Sequence, residues 1–316
     1  MPSASLSKAW PRLDYSDWAD TCATLHLWTQ VVGKVRLALA PLENHWWNVT
    51  LYVTARGLTT SAMPYQGRYL QIDFDFIDHQ LVLQTSDGRS ERIALEPRSV
   101  KDFYAEVMRR LRALGVEVQI WTMPVEIPDA IPFEADDVHK SYDAVAANLF
   151  WQQLLDVHRV FVIFRARFLG KCSPVHFFWG SFDLAVTRFS GRFAPPHPGG
   201  VPHLPDSVAR EAYSQEVSSL GFWPGSDGMP EAIFYSYAYP EPKGFSEAGV
   251  KPAAASYNAQ LKEFVLPYDT VRSAESPDAA ILDFAQSTYD AASTLGNWDR
   301  AALEEKKPRL HSNPDR

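Results

Sequence analysis

The alternation of apolar and polar residues constrains this chain most. Across residues 47–56, Val49, Leu51, Val53 and Ala55 fall on one face and Asn48, Thr50, Tyr52, Thr54 and Arg56 on the other. This is the period-two pattern of a strand buried on one side. Residues 69–76 repeat it with Leu70, Ile72, Phe74 and Phe76 inward, and Asp78-His79 then turns the chain into a strand over 81–85. Such hairpins need a cover for their apolar face, which predicts antiparallel sheet packed with helices, an α+β fold.

The covers are legible too. Trp18, Cys22, Leu25, Trp28, Val32, Val35 and Leu39 recur at spacings of three and four, predicting a helix over 17–39 that Pro41 ends. After a short strand at 92–95, Ser99 can cap a helix carrying Val100, Phe103, Tyr104, Val107 and Leu111 that stops near Gly115, with an edge strand at 116–121. Three prolines in 124–132 read as a linker. Beyond it come a long helical pattern over 136–169 with a kink near 156–158, a break at Cys172-Ser173-Pro174, strands near 182–188, 233–239 and 263–266, and a closing helix over 277–295.

The two stretches share an order and some letters. Trp28-Thr29-Gln30 in the first helix faces Trp151-Gln152-Gln153 in the second. Pro41 followed by His45-Trp46-Trp47 faces Pro174 followed by His176-Phe177-Phe178, and Val53-Thr54 faces Val186-Thr187. This suggests a degenerate internal duplication, two similar halves of helix, antiparallel strands and helix related by a pseudo-twofold axis; the alternative is coincidence among aromatic-rich strands. The expected organisation is a first half over 1–123, a linker over 124–135, a second half over 136–300 and a disordered polar tail over 301–316. The halves differ at 191–230, a long insertion in the second, with a short helix over 207–218 and an aromatic Gly221-Phe222-Trp223-Pro224-Gly225 end. It reads as a lid or pocket wall, or as a packing insertion.

A formal net charge of −8 argues against a nucleic-acid partner, and no apolar run reaches the length of a membrane span. With no leader pattern at the start, a cytoplasmic protein is expected. Cys22 and Cys172 are too few for a disulfide framework or a thiolate zinc site. No Gly-rich phosphate loop, His-Glu-x-x-His helix or Gly-x-Ser-x-Gly elbow is present.

The best catalytic candidates are His45 and His176, each after a proline break and before an aromatic strand. Quasi-equivalent positions would bring both to the junction of the halves, as ligands of a divalent transition metal (iron, zinc or manganese) or as acid and base. Asp183 and Glu216 would complete a His and carboxylate site. Arg56 and Arg188 end the matched strands and suit an anionic group of a small-molecule ligand, with Trp47, Trp223 and Tyr237 as aromatic walls. Each has a bland reading beside it: buried imidazoles bonded to backbone, an ion-pair network on one sheet face, and a tyrosine stripe of Tyr235, Tyr237 and Tyr239 packed under a helix. His26, Gln30 and Lys34 form a polar stripe that faces either the same cavity or solvent.

The strings at 45–60 and 171–192, with Leu25-His26-Leu27-Trp28-Thr29-Gln30, Phe74-Asp75-Phe76-Ile77-Asp78-His79, 218–225 and Tyr237-Ala238-Tyr239-Pro240-Glu241-Pro242, resemble a bacterial family catalogued only as a domain of unknown function. The resemblance spans nearly the whole chain and implies one shared architecture. It supplies no activity and no catalytic residue. The residues themselves lead to the expectation of a small-molecule enzyme, metal-assisted or acid–base, working between the halves. The alternatives are a non-catalytic binding module with an aromatic pocket and a scaffold docking a partner or a second copy of itself through Trp223.

Overall fold

The computed structural model describes residues 10–305. Its first helix, α1 (Tyr15–Leu39), is buried almost all round from Leu27 to Arg36, so it is a central helix and not the one-sided helix its spacing suggests. Thr29, Gln30 and Lys34 tolerate burial because each of them has a partner. The Thr29 hydroxyl donates to the His26 carbonyl, Gln30 exchanges two hydrogen bonds with the Val125 backbone (2.9 and 3.0 Å), and the Lys34 ammonium donates to the Met123 carbonyl (2.6 Å).

Strands β1 (Tyr52–Val53), β2 (Gly57–Thr59), β3 (Met63–Tyr65), β4 (Arg68–Asp75), β5 (Gln80–Thr85) and β6 (Ser90–Ala94) follow, then helix α2 (Val100–Ala113). They form an antiparallel sheet in the order β1-β2-β4-β5-β6, with β3 also on β4. Leu70, Ile72, Phe74, Leu81 and Leu83 are inward as the alternation requires, and the Ser99 hydroxyl caps α2 by accepting from the Asp102 amide. Helix α3 (Ala144–Ala166) leads to β7 (His176–Phe178), β8 (Asp183–Phe193), α4 (Asp206–Ala212), β9 (Gln215–Trp223), β10 (Ile233–Tyr239), β11 (Ser256–Asn258) and β12 (Glu263–Pro267). The second antiparallel sheet has the order β11-β12-β10-β9-β8-β7. Helices α5 (Tyr268–Arg272), α6 (Pro277–Leu295) and α7 (Arg300–Leu303) close the described chain.

The sheets meet edge to edge: Leu51 and Phe177 exchange backbone hydrogen bonds of 2.9 and 2.7 Å. Further bonds cross the same seam, from the Trp151 indole to the Thr54 carbonyl (3.0 Å) and from the Trp179 indole to the Val49 carbonyl (2.6 Å). Helices with antiparallel sheets are thus the observed class. The strand orders do not by themselves establish a pseudo-twofold duplication.

Several local expectations change. Residues 44–49 are a 3-10 turn, not part of a strand, with left-handed backbone at His45 (φ 58°) and Trp46 (φ 59°). Residues 116–121 form no strand: the Val116 amide donates to the Leu111 carbonyl at the end of α2 (2.8 Å) and the Glu117 amide to the Tyr65 hydroxyl (2.9 Å), so these groups are paired outside a ladder. The long helix starts only at Ala144, where the Asp143 carboxylate accepts from the amides of Val145 and Ala146, and it runs unbroken through 156–158. Both ends of 191–230 belong to the sheet, β8 extending to Phe193 and β9 running from Gln215 to Trp223, which leaves 194–214 as a connection holding α4. Residues 301–303 of the expected tail belong to a helix, and 306–316 lie outside the described residues.

One core spans both halves: Trp28, fully buried, stacks on Phe103 (4.5 Å) and Tyr142 (5.5 Å). Trp28→Ala is therefore expected to lower unfolding free energy by about 3–5 kcal/mol, read as a shift of the urea midpoint.

Candidate functional site

A cavity of about 790 Å³ opens between the halves, large enough for a small organic ligand. Its floor is one face of the second sheet. Alternation along β8 turns Asp183, Ala185, Thr187 and Phe189 toward it, β9 contributes Val217, Ser219 and Trp223, and β10 contributes Ile233, Tyr235 and Tyr237. Lys34 and Trp121 come from the first half, and Leu204, Val208, Ala212 and Tyr213 from the 194–214 connection above.

That connection is fastened on several sides. The Glu126 amide donates to the Pro202 carbonyl (2.8 Å) and the Tyr239 hydroxyl to the Pro195 carbonyl (3.0 Å), while the His197 ring packs on Tyr239 of β10 at 5.2 Å. His45 is the fourth fastening. Its amide donates to the Glu211 carboxylate (2.8 Å), its Nδ1–H to the Ala212 carbonyl (2.9 Å), and its Nε2 accepts from Lys171 (2.6 Å). Burial first, and the Lys171 charge with it, lower the basicity of this ring.

His176, 1% exposed, also lines the cavity. Its Nδ1 lies 3.3 Å from the Thr50 hydroxyl, which itself donates to the Trp47 carbonyl, so Nδ1 carries the proton and Nε2 is a bare acceptor without a partner. Burial, helped by Arg165 and Arg36, pushes its pKa down to about 3.

The acid groups form the chemical centre. The Asp183 carboxylate accepts from the Ser181 and Tyr235 hydroxyls. Tyr235 can cross the sheet to reach it because its register partner is Gly221, where a Cβ would stand 2.2 Å from the phenol oxygen. Glu126 packs on Gly180 in the same way, a Cβ there lying 2.1 Å from Oε1. Glu126 is enclosed by protein yet open to the cavity itself. Burial first, and the Asp183 charge second, push the carboxyls of Glu126 and Glu263 up to about 7. Asp183 is raised by burial against the pull of its two hydroxyl donors. No cation acts on any of the three. Tyr237 shares a 2.8 Å hydrogen bond with Tyr213 and stacks on Tyr235 at 6.1 Å.

Of the residues expected at a site, His45, His176, Asp183, Trp47, Trp223 and Tyr237 share this cavity. Glu216, Arg188 and Arg56 are elsewhere. Glu216 lies on the other face of β9, where Arg192 holds its carboxylate (2.6 Å). Arg188 points to the opposite face of β8, its guanidinium 3.5 Å above the Phe164 ring. Arg56 pairs with Asp75 and Asp78 near the surface. Strand alternation separates the first two from their neighbours. Among the described residues, no group of three or more His, Cys, Asp and Glu is placed to hold a metal. Glu126 and Glu263 escaped the sequence reading, one inside a proline-rich stretch and one opening a short strand. The stripe of His26, Gln30 and Lys34 does turn inward: the His26 ring donates to the Gly180 carbonyl (2.8 Å), and Lys34 reaches the cavity.

Fold and site together define an α+β protein with an acid-lined cavity between its halves. A sequence model for a family of unknown function, DUF5996, matches residues 10–305, and the chain belongs to that family. No curated protein and no solved structure matches it. No helix among the described residues is long and apolar enough to cross a membrane.

The raised carboxyls set a pH dependence. A carboxyl that binds its proton more tightly in the folded state contributes stability below its ordinary value of 4.5, and that contribution is lost as pH rises through about 7. Glu263→Gln is thus expected to stabilise the protein at pH 8 by about 1–2 kcal/mol, allowing for screening by cavity water, and to change little at pH 4. Urea unfolding at the two pH values measures this.

Proposed function

We propose that this protein is a small-molecule enzyme that uses the cavity carboxylates for acid–base catalysis. The supporting observation is that Glu126, Glu263 and Asp183 line one cavity, where enclosure and the Asp183 charge push the first two carboxyls up to about 7. One can take a proton from a bound molecule while the other returns one, which is how matched carboxyls serve as base and acid. Asp183, fixed by Ser181 and Tyr235, keeps their affinities raised and orients polar hydrogens of the ligand. The connection over 194–214 supplies the roof that limits water.

The histidines take supporting roles here. His45 fastens the roof, and His176 presents one acceptor atom. A divalent metal would need a lone pair on His45 that Lys171 now occupies, so this reading runs on protons alone. A non-catalytic binding module is the second reading. It is favoured by the stacked Tyr235 and Tyr237, whose hydroxyls are both engaged and whose rings make a firm aromatic wall.

Incubation of the protein with a small-molecule extract, followed by mass spectrometry of what disappears and appears, separates the two. The wild type is expected to convert at least one compound, and the Glu126→Gln, Glu263→Gln double variant to convert it at least 100-fold more slowly. Identical profiles for wild type, double variant and protein-free control would overturn the catalytic reading and leave the binding one.

A further inference from the structure

The cavity wall is unbalanced in charge and in hydrogen bonding. Glu126, Asp183 and Glu263 face it, and Asp183 acts on both of the others, so the three share one region. Lys34 is the sole Lys or Arg among the described lining residues, and it is spoken for: its Nζ donates to the Met123 carbonyl and lies 4.7 Å from the centre of the Trp121 ring. Its affinity for protons is lowered by burial alone, with no carboxylate acting on it. The acids therefore have no fixed counter-charge.

A second observation, independent of the acids, has the same sense. His176 is 1% exposed, lines the cavity and leaves Nε2 as a lone pair with no donor. A buried acceptor without a partner is costly, and a ligand N–H can offset that cost. The aromatic rings add a third element, because a cation gains from lying against the faces of Tyr and Trp.

We infer that the cavity recognises a small organic amine, bound as its ammonium ion among Glu126, Asp183 and Glu263, with the stacked Tyr235 and Tyr237 beside it. The sign is opposite to that of the anionic ligand suggested by Arg56 and Arg188, neither of which reaches the cavity. The ammonium supplies the missing counter-charge, and its N–H groups supply donors to an acceptor-rich wall. The inference rests on reading the cavity as a small-molecule site, and does not require that the ligand be converted.

The test uses two matched series on the full chain at pH 7.5 by isothermal titration calorimetry: tryptamine, 3-methylindole and indole-3-acetate; and hexylamine, hexanol and hexanoate. Each series holds its apolar body nearly constant while charge runs from positive through neutral to negative. The amine is expected to bind at least tenfold more tightly than its neutral partner, with the acid weakest. Glu263→Gln, which removes a carboxylate that holds no side chain in place, is expected to cut the preference at least fivefold. Asp183→Asn should do the same where circular dichroism shows it folded. Equal or tighter binding by the neutral or acidic members, or no binding in either series, would overturn the inference. So would an amine preference unchanged in Glu263→Gln. Mass spectrometry of the titrated samples keeps the two proposals apart. Amine bound but unconverted leaves this inference standing without the catalytic reading. Glutamate-dependent conversion of a non-amine from the extract, with no amine binding, does the reverse.

Discussion

The cavity depends on the pairing of Leu51 with Phe177. Two backbone hydrogen bonds join the residue just before β1 to β7, at a point where both residues are fully buried. Neither edge would tolerate burial unpaired, because peptide groups removed from water need partners. Pairing fixes how far apart the sheets stand. The indoles of Trp151 and Trp179, each donating to a carbonyl across the same seam, lock that spacing. What remains open beside the seam is the cavity.

The same rule governs the irregular segments that wall it. Residues 116–126 have no strand partner, yet Gln30 and Lys34 from the central helix reach their backbone and hold Val125 and Met123 in position. Glu126 thereby comes to rest against Gly180 with its carboxylate in the cavity. On the other side, His45 in its left-handed turn ties the roof to the turn through Glu211 and Ala212. Strained backbone held by several bonds is a feature of positions whose geometry matters. Here the geometry is that of an enclosure whose wall carries three acids.

Close approach does the rest. Tyr235 reaches Asp183 across β9 only because Gly221 has no side chain, and Trp179 lies where a Cβ on Gly33 would stand 2.3 Å from its ring. A carboxylate enclosed in such a space is pushed toward its protonated form by burial and, for Glu126 and Glu263, by the Asp183 charge. The acid–base character and the affinity for a cation proposed for the cavity both follow from that crowding.

Much of this fold was legible in the sequence. Period-two alternation over 69–85 places one hairpin, periodicity of three to four places the helices, Ser99 marks the start of α2, and the class α+β follows from their order. Six residues of the expected site do meet in one cavity: alternation on the strands of the second sheet turns His176, Asp183, Trp223 and Tyr237 to one face, whereas His45 and Trp47 arrive through a left-handed turn that the pattern did not show. The rest was decided by tertiary structure, because it rests on contacts between residues far apart in the chain. Alternation says that Arg188 and Asp183 lie on opposite faces of β8, but not which face meets the cavity and which meets Phe164 and Tyr289. Glu126 and Glu263 carry no local signal: one sits in a proline-rich stretch and the other at a strand's start, and they share a cavity only once Leu51 has found Phe177. The sequence determined which faces are apolar and where the chain turns; the pairing of distant edges decided which charges face each other, and with them the chemistry.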